Sequence, residues 1–397
     1  MPQIVCPYCF NKFKRSEVMF RCGNNSSGCS SEEDPTMTQF WGNMQKVGHP
    51  IEAHPSFMQR MLDKMPDSAV CDKCGTEQHR IICPNCHNPV PKRMVENKGF
   101  IISIIGARSS GKTNYITVLI EQLRKFGWTL DVGFLADDTP DDPKNRTQER
   151  YRNDFYRVLY EQGKCPLQTD IKDPKSRVPL IYSLTRGDDF VYLVFYDTAG
   201  ENFNDIRNVR DNAQFLKQTD ATIYLLDTFA IDDVYRRLKG KLGLKPAELS
   251  YDKILATINS FFTEECDKNT REEFLKKPMA LAFSKIDAVL SNVNEFQDAM
   301  PSNMDLSQNS SFLDGSGINA NEFDSISAGM MGALAAWGEQ TFLKTMEMYK
   351  RHKYFGISAL GKAPDTDNKI DRVRPYRVLD PLVWILDELG FKLPKTK

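Results

Sequence analysis

Lys112 and Thr113 stand directly behind a loop bounded by Gly106 and Gly111, in the stretch FIISIIGARSSGKT from Phe100 to Thr113. The pattern is G-x-x-x-x-G-K-[ST], the P-loop. Glycines there let backbone N–H groups turn inward around phosphate oxygens. A helix opening at Thr113 adds its N-terminal partial charge, Lys112 adds a full one, and the Thr113 hydroxyl can ligate magnesium. A second set of residues, Asp197-Thr198-Ala199-Gly200-Glu201, follows an apolar run. An aspartate at a buried strand's end can hold magnesium through water, and the glycine beyond it can place an N–H on a γ-phosphate. A third, MALAFSKID from Met279 to Asp287, could recognise a base. The Lys285 stem would lie along a purine, and Asp287 would accept from the N1 and exocyclic amino groups that guanine has and adenine lacks. Phe355-Gly356-Ile357-Ser358-Ala359 supplies another strand exit, whose backbone could read the guanine carbonyl.

A different chemistry gathers at the other end. Eight of the ten cysteines fall before residue 87, six of them in Cys-x-x-Cys pairs. With no secretory signal in MPQIVCPYCF, such pairs mean metal rather than disulfide. Cys6, Cys9, Cys22 and Cys29 have the spacing of one zinc-ribbon-like unit, and Cys71, Cys74, Cys83 and Cys86 that of a second. The segment is poor in large apolar residues, so two zinc ions would supply the missing core. Four thiolates per ion leave no open coordination position, which makes both sites structural. Redox-active pairs belong in an α/β context that this segment lacks. Two pairings are open: sequential sets, or a cross-braced arrangement combining alternate pairs. His49, His54, His79 and His87 are spare ligands.

These residues need elements to hold them. Phe100 to Ile105 has the uncharged β-branched composition of a strand buried on both faces, and Asn114 to Phe126 that of an amphipathic helix stopped at Gly127. A helix is expected over Arg150 to Glu161. Val178 to Thr185 and Phe190 to Tyr196 read as an antiparallel hairpin turning at Arg186-Gly187-Asp188-Asp189. Further strands are expected at Ala221 to Leu226 and Met279 to Phe283. Helices are expected at Leu255 to Phe262, Ala328 to Met348 and Pro381 to Leu389. Ser302 to Asp324, rich in Asn, Ser, Asp and Gly, reads as a mobile stretch, and Pro89 to Lys98 as a linker.

At 397 residues the chain suggests about two domains. A net charge of −1 provides no global basic field for nucleic acid or an anionic membrane. No window approaches the roughly 18 to 20 uncharged apolar residues of a membrane span. A cytoplasmic location is the expectation.

GARSSGKT, DTAGE, SKID and ISA stand in the order of the Ras-like and translation-factor-like GTPases, which the chain resembles over nearly all of residues 98–397. The resemblance implies phosphate contacts from Gly106 to Thr113, including Ser109, Ser110, Gly111 and Lys112, and from Asn114. It implies magnesium at Thr113 and Asp197, γ-phosphate sensing by Gly200, and base contacts from Lys285, Asp287, Ser358 and Ala359. A switch threonine that also reaches magnesium should precede the hairpin: Thr169, with Thr185, Thr147 and Thr139 as rivals. Three residues depart from the pattern. Ser284 replaces Asn or Thr, Glu201 stands where Ras-like members carry the water-orienting glutamine, and Arg108 stands where many have glycine. Arg108 could obstruct a partner's arginine finger or act as one in cis.

Paired-cysteine units ahead of a large GTPase domain also resemble the bacterial double-GTPase families, which implies a nucleotide switch with a regulatory partner in a bacterial conflict or defence system. The fold expected is α/β: a doubly wound, mostly parallel P-loop sheet over residues 98–397, with helical insertions at about 231–277 and 289–350. A zinc-ribbon-like module precedes it over residues 1–97. The function expected is slow, magnesium-dependent GTP hydrolysis. Alternatives are a nucleotide-dependent scaffold without useful turnover, or an ATPase, and an oligomer is compatible with the sequence.

Overall fold

The computed structural model describes residues 3–23, 29–136, 146–166, 178–197, 203, 205–212, 215–243, 251–298 and 309–396. Among these, seven strands form one sheet: β1 (Lys98–Ile105), β2 (Gly133–Ala136), β3 (Leu180–Arg186), β4 (Asp189–Asp197), β5 (Ala221–Asp227), β6 (Met279–Ser284) and β7 (His352–Gly356). Their order is β2-β3-β4-β1-β5-β6-β7. The pairs from β4 through β7 are parallel, and β2–β3 and β3–β4 are antiparallel. The expected hairpin is present, closing at Arg186↔Asp189 around Gly187, whose φ is 55°. Strand β2 was not anticipated, because four edge residues of mixed exposure carry too short a period to read.

Strand β1 is central because its apolar residues leave neither face free. Phe100, Ile102 and Ile104 pack into one cluster with Tyr115, Leu119 and Leu123 of the helix Lys112–Phe126, Phe155 of the segment Tyr151–Glu161, and Leu382 and Ile385 of the helix Asp380–Glu388. Tyr151–Glu161 is wound as a π-helix. On the opposite face Ile105 joins Phe215, Ile254, Phe261, Met330 and Leu334. Ile101 belongs to a third cluster, with Ile181 of β3 and Tyr192 and Val194 of β4, together with Phe13, Phe20, Ile51 and Val90. The cysteine-rich module therefore covers part of the second face, where a doubly wound sheet would otherwise carry a helix. The stretch read as a linker contains a short helix, Lys92–Glu96, whose Met94 and Val95 are buried in that cluster.

The module is a three-stranded antiparallel sheet, Pro50–Glu52, Met19–Arg21 and Arg80–Ile82. It is flanked by two knuckle hairpins, Ile4–Val5 with Lys12–Phe13 and Ala69–Val70 with Glu77–Gln78. Two long-segment expectations change. The helix foreseen over Ala328 to Met348 is two helices, Ala320–Ala336 and Gln340–Met346, with Gly338 between them at φ 92°, a left-handed conformation that ends a helix. Within the stretch foreseen as mobile, Phe312, Ile318 and Phe323 are buried.

The base-side strand exit is fixed by a buried ionic cluster. Ser358 and Tyr376 exchange backbone hydrogen bonds. Beside Tyr376, the Arg377 guanidinium donates to Asp380 and Glu322, both at 2.6 Å. Ser310 donates to the second Asp380 oxygen and Ser311 to Glu322. Burial pushes the Asp380 carboxyl up to about 6 even with Arg377 beside it. Arg377→Met would leave two carboxylates without their cation. Urea unfolding at neutral pH is expected to show a loss of about 3–5 kcal/mol. The deficit should shrink as pH falls through the carboxyl range and protonation removes the unpaired charge; a loss under about 1 kcal/mol would contradict this account.

Candidate nucleotide site and metal centres

The loop after β1 has the backbone that its glycines permit. A Cβ on Gly106 would overlap the Leu225 carbonyl oxygen and stand 2.7 Å from Ser110 Oγ. Ser109 and Gly111 take φ of 67° and 87°, turning the chain into the helix Lys112–Phe126. The Lys112 ammonium, nearly buried, donates to the carbonyls of Gly106 (2.8 Å) and Ala107 (2.9 Å), which fold it back over the loop. Ser110 Oγ and Asn114 Oδ1 are buried without a hydrogen-bond partner among the described residues. Unsatisfied polar atoms beside a helix N-terminus, in a loop with a buried cation, fit a phosphate chain. Arg108 is exposed.

The base-recognition candidates close on this loop from the next strands. Ser284 Oγ lies 2.9 Å from the Ser110 carbonyl and 3.1 Å from that of Leu226, so one hydroxyl joins β5, β6 and the P-loop. Thr228 in turn donates to the Ser284 carbonyl at 2.5 Å. Lys285 sits at φ 60°, with its ammonium 2.6 Å from Asp227 Oδ2 and 5.3 Å from the Phe229 ring centroid. Asp287 begins the short helix Asp287–Leu290, and its half-buried carboxylate accepts no hydrogen bond from the described residues. Ile286 N–H donates to the Ile357 carbonyl (3.2 Å), stitching SKID to ISA, and Ser358 Oγ accepts from Gly361 N–H (2.8 Å). Ala359 follows at the rim, half-buried. The segments gather at the carboxyl ends of β1, β5, β6 and β7, where ligands of parallel sheets bind.

Asp227 and Phe229 were not singled out in the sequence, and an aspartate just past the apolar run Ala221–Leu226 was the available signal. Asp197 ends β4 opposite Ile104 of β1; its side chain lies outside the described residues, as do Gly200, Glu201, Thr169 and Thr139. Two of the rival switch threonines serve the scaffold: Thr185 lies in β3, and buried Thr147 accepts the Ile181 N–H at 3.0 Å. Thr113 is half-buried in the first turn of its helix.

The eight cysteines form two clusters, Cys6/Cys9/Cys83/Cys86 and Cys22/Cys29/Cys71/Cys74. This nested pairing is neither the sequential nor the alternate arrangement. The sheet register explains it. Arg21 pairs with Arg80 and Met19 with Ile82, so Cys22 and Cys83, each leaving the C-terminal end of an antiparallel strand, emerge at opposite ends. Sulfur separations are 3.7 Å for Cys6–Cys86, 3.8 Å for Cys9–Cys83, 3.9 Å for Cys22–Cys74 and 3.5 Å for Cys29–Cys71. A tetrahedral ion with Zn–S bonds of about 2.3 Å requires sulfurs about 3.8 Å apart, so both clusters fit zinc with all four positions filled. His49 Nε2 lies 3.4 Å from Cys71 Sγ and 3.0 Å from Asp72, outside the four-sulfur set. His87 Nδ1 meets both oxygens of buried Asp34 at 2.9 Å, and Arg21 joins them.

Gly106→Ala is expected to weaken nucleotide binding at least about tenfold while the protein keeps its zinc, about two ions per chain by elemental analysis. Unchanged affinity would mean that the loop does not hold phosphate in this conformation.

A curated relative from Mycolicibacterium smegmatis, provisionally named ESX-1 scaffolding and assembly protein SaeC, is 24% identical, the match covering 97% of this chain and 99% of that protein. Similar solved structures include translation elongation factor SelB from Methanococcus maripaludis with a GTP analogue, at 12% identity and TM-score 0.25 over 66% of this chain and 30% of that one. The GTP-bound Ski7 GTPase-like domain of S. cerevisiae is 9% identical, at TM-score 0.32 over 76% of this chain and 53% of that one. The chain thus spans well under two thirds of either solved chain. Residues 100–325 match the Double-GTPase 2 family model. That match covers more than half of the sequence, and the chain belongs to the Double-GTPase 2 family.

Proposed function

We propose that this protein binds GTP with magnesium between the P-loop and the SKID and ISA loops, hydrolyses it slowly, and serves as a nucleotide switch within a multi-protein bacterial system. The observation that supports the reading is the Ser284 hydroxyl 2.9 Å from the Ser110 carbonyl, which joins the GARSSGKT loop to the SKID loop. A small hydroxyl thus ties the two loops together where the resembled GTPases carry Asn or Thr.

In this reading the N–H groups from Gly106 to Thr113, with the Ser109, Ser110 and Asn114 side chains, cradle the phosphates. Lys112 exchanges its two carbonyl partners for phosphate oxygens. Thr113, Asp197 and a switch threonine, Thr169, would hold magnesium, which offsets charge on the β- and γ-phosphates. Gly200 senses the γ-phosphate. Asp287 accepts the guanine donors, the Lys285 stem packs along the base with its ammonium held by Asp227, and Ala359 beside Ser358 supplies the N–H to the carbonyl. Glu201, standing where the resembled GTPases carry the water-orienting glutamine, would add negative charge beside the γ-phosphate, so a cation beyond Lys112 and magnesium, from Arg108 or a partner's arginine, would have to compensate it. The zinc thiolates suit the reducing cytoplasm.

The relative's name speaks of scaffolding and assembly, so a second reading keeps the pocket but uses bound GTP without turnover. Phosphate release by the purified protein separates them: turnover should run at roughly 10⁻⁴ to 10⁻³ per second, and its absence with or without partners favours the scaffold. If Arg108 is the internal finger, Arg108→Ala should lower that rate at least about tenfold at unchanged GTP affinity. Asp287→Asn should weaken GTP and tighten xanthosine triphosphate, whose ring has a carbonyl in place of the amino group. An unchanged preference would remove Asp287 from the base site.

A further inference from the structure

We infer that Phe10, on the first zinc knuckle, is a positioning residue for the nucleotide site, so that zinc held by Cys6, Cys9, Cys83 and Cys86 and nucleotide held by the P-loop are coupled. The inference rests on the guanine-nucleotide reading above. Phe10 directly follows Cys9, takes a left-handed φ of 59°, and donates its N–H to the Cys6 carbonyl at 3.1 Å, so the metal-bound turn sets where the ring points. The ring lies 5.9 Å from that of Phe215, tilted by 52°. On the far side of the helix that carries Phe215, the Lys277 ammonium donates to the Lys217 carbonyl at 3.4 Å.

Phe215 and Leu216 belong to the helix Phe215–Gln218 and are buried with Phe203, Val209, Ile105 and Ala107. Ala107 is the P-loop residue whose carbonyl holds the Lys112 ammonium. The helix is also pinned to β1, since Thr219 Oγ1 donates to the Ile101 carbonyl at 3.0 Å and Asp220 exchanges hydrogen bonds with Ile101 through its N–H (2.8 Å) and carboxylate (2.9 Å). Phe10, Phe215 and Ala107 thus belong to one continuous packed cluster, which Phe10 enters from the knuckle. A close-packed interior passes displacements through such a cluster rather than absorbing them. The helix also follows the DTAGE segment in the chain. Any coupling must be reciprocal.

The test uses the full-length, zinc-loaded protein. Phe10→Ala is expected to retain two zinc ions but change the ratio of GTP to GDP affinity at least about fivefold, with Phe10→Leu restoring most of it. In the wild type, a chromogenic chelator should strip zinc at rates differing at least about fivefold between the GDP-bound form and the form with a non-hydrolysable GTP analogue. That difference should collapse in Phe10→Ala. Equal stripping rates in the two wild-type forms overturn the inference whatever the variant does, and so does a Phe10→Ala protein with wild-type nucleotide affinities. A wild-type chain that binds no guanine nucleotide overturns both readings.

Discussion

The rest of the structure depends on both faces of β1 being covered, and on the second face the cysteine-rich module supplies part of that cover. The module over Ile101, Ile181, Tyr192 and Val194 is built from strands of two or three residues, too short to hold a core by themselves. Structural zinc contributes on the order of 10–16 kcal/mol of apparent binding free energy that doubles as folding energy. Zinc in the two four-sulfur sites would tighten the module over the β1–β4–β3 face. The P-loop strand is thus held by helices on one face and, on the other, by helices against Ile105 and by the cysteine-rich module against Ile101.

At the other end of β1 the organising constraint is the convergence of parallel strands. Loops leaving the carboxyl ends of β1, β5, β6 and β7 meet, and single hydrogen bonds hold them in register: Ser284 to Ser110, Ile286 to Ile357, Lys285 to Asp227. Among the described residues, these contacts leave Ser110 Oγ, Asn114 Oδ1 and the Asp287 carboxylate without a hydrogen-bond partner. The Arg377–Asp380–Glu322 cluster then fixes the last loop from behind, through the Ser358–Tyr376 pairing.

Local signals were legible and long-range ones were not. FIISIIGARSSGKT announces a buried strand, a glycine loop and a helix within one continuous stretch, and Gly187 announces the hairpin, because each depends on neighbours in the chain. The number of zinc ligands was legible for the same reason. Their partition was not, because it follows from Cys22 and Cys83 leaving antiparallel strands in opposite directions, a relation between residues far apart in sequence. Asp227 became meaningful only when β5 placed it against Lys285. Met94 and Val95 lie in a proline-bounded stretch that reads as a spacer, and only the apolar face of β3 and β4, against which they pack, explains why they are buried. Gly338 ends a helix whose apolar pattern runs on past it, so the periodicity misled where one backbone angle decided.

The loops around Ser110 and Ser284 would together form one guanine-nucleotide site, which competitive binding of GTP and ATP to the purified chain in magnesium tests. GTP should be preferred at least about hundredfold, since a site with an acceptor such as Asp287 strongly disfavours a base lacking the matching donors. Equal affinity for the two nucleotides, or no binding of either, would contradict it.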